Sequence, residues 1–160
     1  MAGRALLLSI RPQHAEKILD GSKTVELRRV CPQVNEGDLV LVYASSPVKA
    51  LTGAFRVGQV VGQPPRDLWR KTGAQTGITW GEFEQYFSGV DMAFGIVIAD
   101  AWRLPRPLPL PHIRERCPGF HPPRNYRYLI SDADLNVALA GLVGWDEAAQ
   151  LCLGDPDTPG

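Results

Sequence analysis

A chain of 160 residues with 44% hydrophobic and 21% charged side chains has the make-up of one ordinary globular domain, long enough to bury a core of its own. Its apolar runs stay well short of the roughly 20 residues that cross a bilayer as a helix, and the run Ala5 to Ile10 behind Arg4 is too short for a signal peptide and lacks a small-residue cleavage site. The expectation is therefore a cytoplasmic protein without a membrane span.

The three cysteines, Cys31, Cys117 and Cys152, stand apart from one another and from any histidine at a ligand-like offset, so no zinc site, disulfide framework or cofactor is expected. The formal net charge of zero conceals an asymmetry. Residues 1–130 carry all 17 Lys and Arg against 11 acidic residues, whereas 131–160 carry six acids (Asp132, Asp134, Asp146, Glu147, Asp155, Asp157) and no base. A basic body suits a polyanion held through its phosphates; the acidic segment either shields that surface or keeps the chain soluble. The division suggests a domain over 1–130 and an acidic extension over 131–160, partly helical and disordered from 154 onward.

In chain order, Leu6 to Ile10 reads as a strand. Pro12 opens a helix to Asp20, with Ala15, Ile18 and Leu19 inward, His14, Glu16 and Lys17 outward, and Gly21 as its stop. Ser22 to Arg29 reads as a second strand, alternating Thr24, Glu26 and Arg28 with Lys23, Val25 and Leu27; its polar face turns to solvent or to a cavity. Residues 30–38 form a loop, and Gly37-Asp38 turns the chain into Leu39 to Ala44, apolar on both faces as in a central strand. After Ser45-Ser46-Pro47, a long strand is expected from Lys49 to Val61, with Gly53 and Gly58 as bulge positions of a small closed barrel.

Pro64-Pro65 begins a helix through Lys71 packed by Leu68 and Trp69. Thr79 caps another through Ser88, with the stripe Trp80, Phe83, Phe87 and a stop at Gly89. Met92 to Leu104 is a long apolar strand. In Pro105 to Pro111, proline at alternate positions enforces an extended rigid connector, which also offers a surface to a protein partner, as does the acidic extension. A short helical piece leads to Phe120 through Leu129, rich in aromatics and arginine. Helical spacing recurs from Asp132 to Leu153.

The cluster Lys23, Thr24, Glu26, Arg28 and Arg29 concentrates the chemistry. A lysine beside a threonine and a carboxylate acts as a base if burial lowers its pKa, or holds a phosphate; on an open edge strand the same residues are only solvated charges. Tyr43 belongs in the core. Tyr126 and Tyr128 flank Arg127 with period two and share a strand face, so with Tyr86, Arg124 and Arg127 they are candidates for stacking bases and binding phosphate. His14, His112 and His121 are isolated and read as surface or loop residues, and Trp69, Trp80 and Trp102 as packing.

Four segments together carry a resemblance: Gly21-Ser-Lys-Thr-Val-Glu-Leu-Arg-Arg29, Gly37-Asp-Leu-Val-Leu-Val-Tyr43, Ser46-Pro-Val-Lys49, and Ile78-Thr-Trp-Gly-Glu-Phe83 with Tyr86-Phe-Ser-Gly89. Over roughly residues 5 to 130 the chain resembles the ASCH domain, a PUA-like family associated with RNA binding. The resemblance implies a mixed α+β fold: a small β-barrel of five to six strands with flanking helices and a cleft near the Lys23 strand, suited to RNA or a modified nucleotide. In such a nucleic-acid-binding, regulatory module, Lys23, Arg28 and Arg29 would bind phosphate or fix the base. Glu26 would accept from an exocyclic amine, Ser46 would line the rim, and Lys49, Tyr86, Arg124, Tyr126 and Arg127 would extend the surface.

Some family members look like amidohydrolases of acylated cytidine and others are proposed ribonucleases, so the alternative is a small hydrolase working through Lys23, Thr24 and Glu26. This sequence departs from the amidohydrolase pattern: Glu26 stands where a second threonine is expected, and Thr76 where a distant glutamate is expected; Glu82 is another carboxylate within the matched segments.

Overall fold

A strand without a polar face has to be covered on both sides, and β3 (Leu39–Ala44) is buried at every position. It runs parallel to β1 (Ala5–Ile10), in register from Ala5 opposite Leu39 to Ile10 opposite Ala44. The computed structural model describes residues 5–129; the expectations for the acidic extension and for Cys152 lie outside them. Around the β1–β3 pair the chain builds α1 (Pro12–Leu19), β2 (Val25–Arg28), β4 (Ala50–Gln63), α2 (Pro65–Thr72) with a following 3-10 turn (Gly73–Gln75), α3 (Trp80–Tyr86), β5 (Ala93–Pro109), α4 (Leu110–Arg116) and β6 (Tyr126–Tyr128).

The six strands form one sheet in the order β2-β5-β4-β3-β1-β6, with every pair but β1–β3 antiparallel. The fold is the expected mixed α+β class, although β2 and β6 remain edges, so the sheet is a curled half-barrel and not a closed barrel. One face packs Leu7, Leu41, Tyr43 and Leu51 under Ile113 of α4 and Phe120. The other packs Leu8, Val40, Val42 and Phe55 under Ala15, Ile18 and Leu19 of α1. A third cluster joins Val25 and Leu27 of β2 to Leu68 of α2 and to Phe83 and Phe87, with Trp69 and Trp80 alongside. Tyr43, Trp69, Trp80 and Trp102 are thus packing residues, as expected. No helix among the described residues is long and apolar enough to cross a membrane.

Three expectations are revised. The second strand begins at Val25, because Lys23 and Thr24 give their amide N–H groups to Lys17 O (3.0 Å) and Gln75 O (2.9 Å); a simple two-residue alternation from Ser22 therefore does not hold. The proline run is no connector. Leu108 and Pro109 pair with Leu51 and Ala50, while Leu104 to Pro107 bulges out of the ladder between Arg103 and Leu108, where missing N–H groups cost nothing, and Leu110 and Pro111 open α4. The helix capped by Thr79 stops at Tyr86, two residues short of Ser88.

Gly53 sits at one of the β4 register shifts, against α1. A Cβ there would lie 2.5 Å from the Trp102 carbonyl oxygen and 2.5 Å from a Leu19 methyl. The backbone oxygen cannot step aside. Gly53→Ala is therefore expected to cost about 1–3 kcal/mol of stability as overpacking. In urea unfolding this appears as a lower midpoint at unchanged slope; an unchanged midpoint would refute the close approach.

Candidate functional site

Because β1 and β3 are parallel, their carboxyl ends open on the same side of the sheet, and there a pocket of about 640 Å³ is found. Ser9 and Ile10 of β1 and Ser45 after β3 form its floor. Arg11 and His14 at the start of α1 form one wall, and Lys23, Glu26, Leu27 and Arg28 another. Ile78 just before α3 and Glu82, Gln85 and Tyr86 on it close the third side, and Arg124 and Asn125 before β6 the fourth. Residues distant in sequence meet here because the sheet curls: β2 is hydrogen-bonded only to β5, yet Arg28 Nη2 reaches the Ser9 carbonyl of β1 at 3.4 Å.

Lys23 is only 2% exposed, and its ammonium donates to the carbonyl of Thr76 at 2.7 Å. Burial lowers its pKa below the ordinary 10.5, with Lys17 and Arg28 adding repulsion and Glu26 opposing it. Lys17 donates to the neighbouring Gly77 carbonyl at 2.7 Å, so two lysines pin the turn between the 3-10 segment and α3. Glu26, 7% exposed, accepts from the Leu27 amide through Oε1 (3.0 Å), which satisfies an N–H of this edge strand; its Oε2 has no partner among the described residues. Arg28 Nε and His14 Nδ1 are also buried without one. Three such polar atoms, an acceptor, a donor and an imidazole nitrogen, thus lie on side chains that line one pocket, where each costs stability unless water or a ligand pairs it.

His14 is half-buried. Its pKa is lowered first by burial, then by Lys23, with Glu26 raising it and Lys17 and Arg11 lowering it further. Tyr86 forms the exposed rim, its hydroxyl donating to Leu27 O at 3.3 Å, and burial of that hydroxyl raises its pKa. Glu82 is held in the capping box of α3, accepting from the amide and hydroxyl of Thr79. With Arg11, Lys23, Arg28 and Arg124 against Glu26 and Glu82, cations outnumber anions in the pocket wall.

Of the residues singled out from sequence, the pocket brings together Lys23, Glu26, Arg28, Tyr86 and Arg124. Thr24 stands just outside it. Arg29 turns away to donate to the Tyr86 and Ser88 carbonyls (2.8 and 3.1 Å), closing the end of α3. Ser46 is exposed beside Ser45, which takes the lining position, and Lys49 lies in the turn before β4 with φ of 51°. Tyr126 and Tyr128 form an edge-on pair with centroids 5.7 Å apart against the α1-side core, and the Tyr128 hydroxyl accepts from the Gln33 amide at 2.6 Å. Arg127 lies over the Phe120 ring, 4.8 Å from its centroid.

Sequence reasoning missed Ser9, Arg11, Gln85, Asn125 and, above all, His14. A signal for His14 existed: it lies four residues before Ile18 and borders the apolar stripe of α1, so it cannot face wholly outward.

The ASCH domain as a family matches residues 8–101. This chain belongs to the ASCH domain family. An ASCH domain-containing ribonuclease of Zymomonas mobilis is 28% identical over 123 residues, covering 77% of this chain and 82% of that protein. Large ribosomal subunit protein uL22 of Ureaplasma parvum is 30% identical over 103 residues, which is 64% of this chain but 33% of that protein. Among solved structures, the crystal structure of ASCH from Zymomonas mobilis aligns with a TM-score of 0.78 at 25% identity, covering 85% of this chain and 94% of that one. A Pseudomonas putida protein shares the fold alone, with a TM-score of 0.51 at 15% identity over 85% and 97% of the two chains.

In this ASCH domain the lowered His14 pKa has a definite sign. Protonation opposes folding: the cost is absent above pH 6.5, grows as the pH falls, and is complete below the folded-state pKa. Its two strongest electrostatic neighbours, Lys23 and Glu26, act in opposite directions. Lys23→Met is expected to raise the His14 pKa toward 6.5 and Glu26→Gln to lower it further, as read from NMR titration of the imidazole protons. Shifts of the same sign in both variants would contradict the arrangement.

Proposed function

We propose that this ASCH domain binds single-stranded RNA, seating one nucleotide in the pocket and the adjoining phosphates on its rim. The observation that carries this reading is the conjunction of surplus positive charge with three unpaired polar atoms in a pocket of about 640 Å³, within the range of small-molecule sites. Arg11 and Arg124 are placed to meet phosphate oxygens. Glu26 Oε2 accepts from a base N–H, Arg28 Nε donates to a base or phosphate oxygen, and the Tyr86 ring at the rim offers a stacking face. RNA rather than DNA is supported by the relationship to a ribonuclease. The cytoplasm is the compartment that fits such a ligand.

A second reading, RNA cleavage, is favoured by that relationship and by two titratable groups lining the same pocket, His14 and Lys23, both shifted toward their neutral forms. Hydrolysis of an acylated nucleoside has less support, since Lys23 is hydrogen-bonded to the backbone of Thr76 and not to a carboxylate.

Phosphate contacts announce themselves in salt dependence. Plotted as log affinity against log salt concentration, binding of a short single-stranded RNA is expected to fall linearly, and Arg124→Ala to reduce the slope by about 0.7, one contact's worth for a single strand. Fluorescence anisotropy at several salt concentrations measures this. Salt-independent binding, or an unchanged slope in both Arg124→Ala and Arg11→Ala, would remove the pocket from the reading.

A further inference from the structure

Ser9 is the one polar residue of β1, and two walls of the pocket are tied to it. Its hydroxyl donates to the Pro123 carbonyl at 2.6 Å and its amide N–H to the Asn125 carbonyl at 3.0 Å. Its own carbonyl accepts from Arg28 Nη2 at 3.4 Å. The first two bonds bracket Arg124, which stands before β6 in a stretch that is neither helix nor strand and follows Pro122 and Pro123, two residues with no N–H to offer. The Arg124 side chain is exposed, so its direction follows from where that backbone is held. A strand otherwise made of alanine, leucine and isoleucine gains nothing in packing from a hydroxyl, and a partly buried hydroxyl is tolerated where it has a partner. Here the partner is the segment that carries a cation of the pocket.

We infer that Ser9 is a positioning residue for RNA: its hydroxyl, through the Pro123 carbonyl, holds Arg124 where it meets a backbone phosphate of the bound strand. The inference rests on the RNA-binding reading and adds to it the residue that sets this phosphate contact. Without the hydroxyl the Pro123 carbonyl loses its partner, one of the two ties on the segment before β6 is gone, and Arg124 no longer has a fixed origin. The other arginines do not depend on that hydroxyl. Arg11 is the N-cap of α1, and its carbonyl accepts from the His14 and Ala15 amides at 3.0 and 2.9 Å, so the helix places it. Arg28 is bonded to the Ser9 carbonyl, a group that every substitution at this position keeps.

The test is fluorescence anisotropy of a short single-stranded RNA with the full chain at several salt concentrations. It compares the wild type, Ser9→Ala, Ser9→Thr, Arg124→Ala, Arg11→Ala, and Ser9→Ala combined with each arginine variant, with urea unfolding of every variant alongside. Ser9→Ala is expected to reduce the slope of log affinity against log salt by about 0.7, as Arg124→Ala does, because one phosphate contact is lost in either. Combined with Arg124→Ala it should lose no more than either change alone, whereas combined with Arg11→Ala it should lose about twice as much. Ser9→Thr keeps the hydroxyl and should bind as the wild type does. A Ser9→Ala variant with a lower urea midpoint but the wild-type salt slope overturns the inference, since a purely structural role predicts that result. Additive losses in Ser9→Ala with Arg124→Ala, or a Ser9→Thr variant that behaves as Ser9→Ala, overturn it too, and all three results leave RNA binding in place. RNA that the wild type does not bind, or binds without salt dependence, ends both.

Discussion

The β4–β5 ribbon is the constraint on which the rest of the molecule depends. A 14-residue strand paired with a 17-residue one would, if regular, make a long twisted ladder with β2 at one far edge and β1 near the other. Register shifts between Leu51 and Gly53, Arg56 and Val57, and Val57 and Gln59 bend that ribbon. The bend brings β2 round until Arg28 touches β1, and the 30–38 loop then spans the seam by bonding Gln33 to Tyr128 of β6. Gly53 allows the first bend because only a residue without a Cβ lets α1 and the Trp102 carbonyl approach so closely.

Curling creates a space between two edges, and what fills it decides the chemistry. Here the wall is polar and partly unsatisfied. A buried ammonium is tolerable because the Thr76 carbonyl accepts from it and Glu26 lies nearby, but Glu26 Oε2, Arg28 Nε and His14 Nδ1 are left as net costs in the free protein. The three core clusters bear those costs. Aromatic packing of Trp69, Trp80, Phe83 and Phe87 behind α3, with centroids of successive rings 4.7 to 5.9 Å apart, keeps the α3 wall in place while its outer face carries Gln85 and Tyr86. Polar strain concentrated in one concavity and absorbed by a packed scaffold is the usual signature of a binding site.

Much of the fold was legible because local rules governed it. Proline at the first turn opened α1 and α2, Thr79 with Glu82 closed a capping box, and an unbroken apolar run could only be a central strand. The proline run misled because its extended backbone suits both a connector and a bulged strand; pairing with Leu51 and Ala50 settles which, and pairing is non-local. Arg29 misled differently. Side by side with Arg28 it has the same chemistry, but β2 ends at Arg28 and the two guanidinium groups take different tasks, one in the pocket and one at the end of α3. Tyr126 and Tyr128 share a face as period two requires, and that face packs, partly buried, against the α1-side core.

From the sequence alone, the family, the mixed α+β class, most element boundaries and the grouping of Lys23, Glu26 and Arg28 could be read, since each is written in contiguous residues whose spacing or identity carries the meaning. Tertiary structure alone decided the membership of the pocket. Ser9, Gln85 and Asn125 come from three separate segments, and none has a local pattern that marks it for a site. Their convergence follows from how far the β4–β5 ribbon bends. That bend is fixed by close packing across the sheet, a property of distances between residues far apart in the chain.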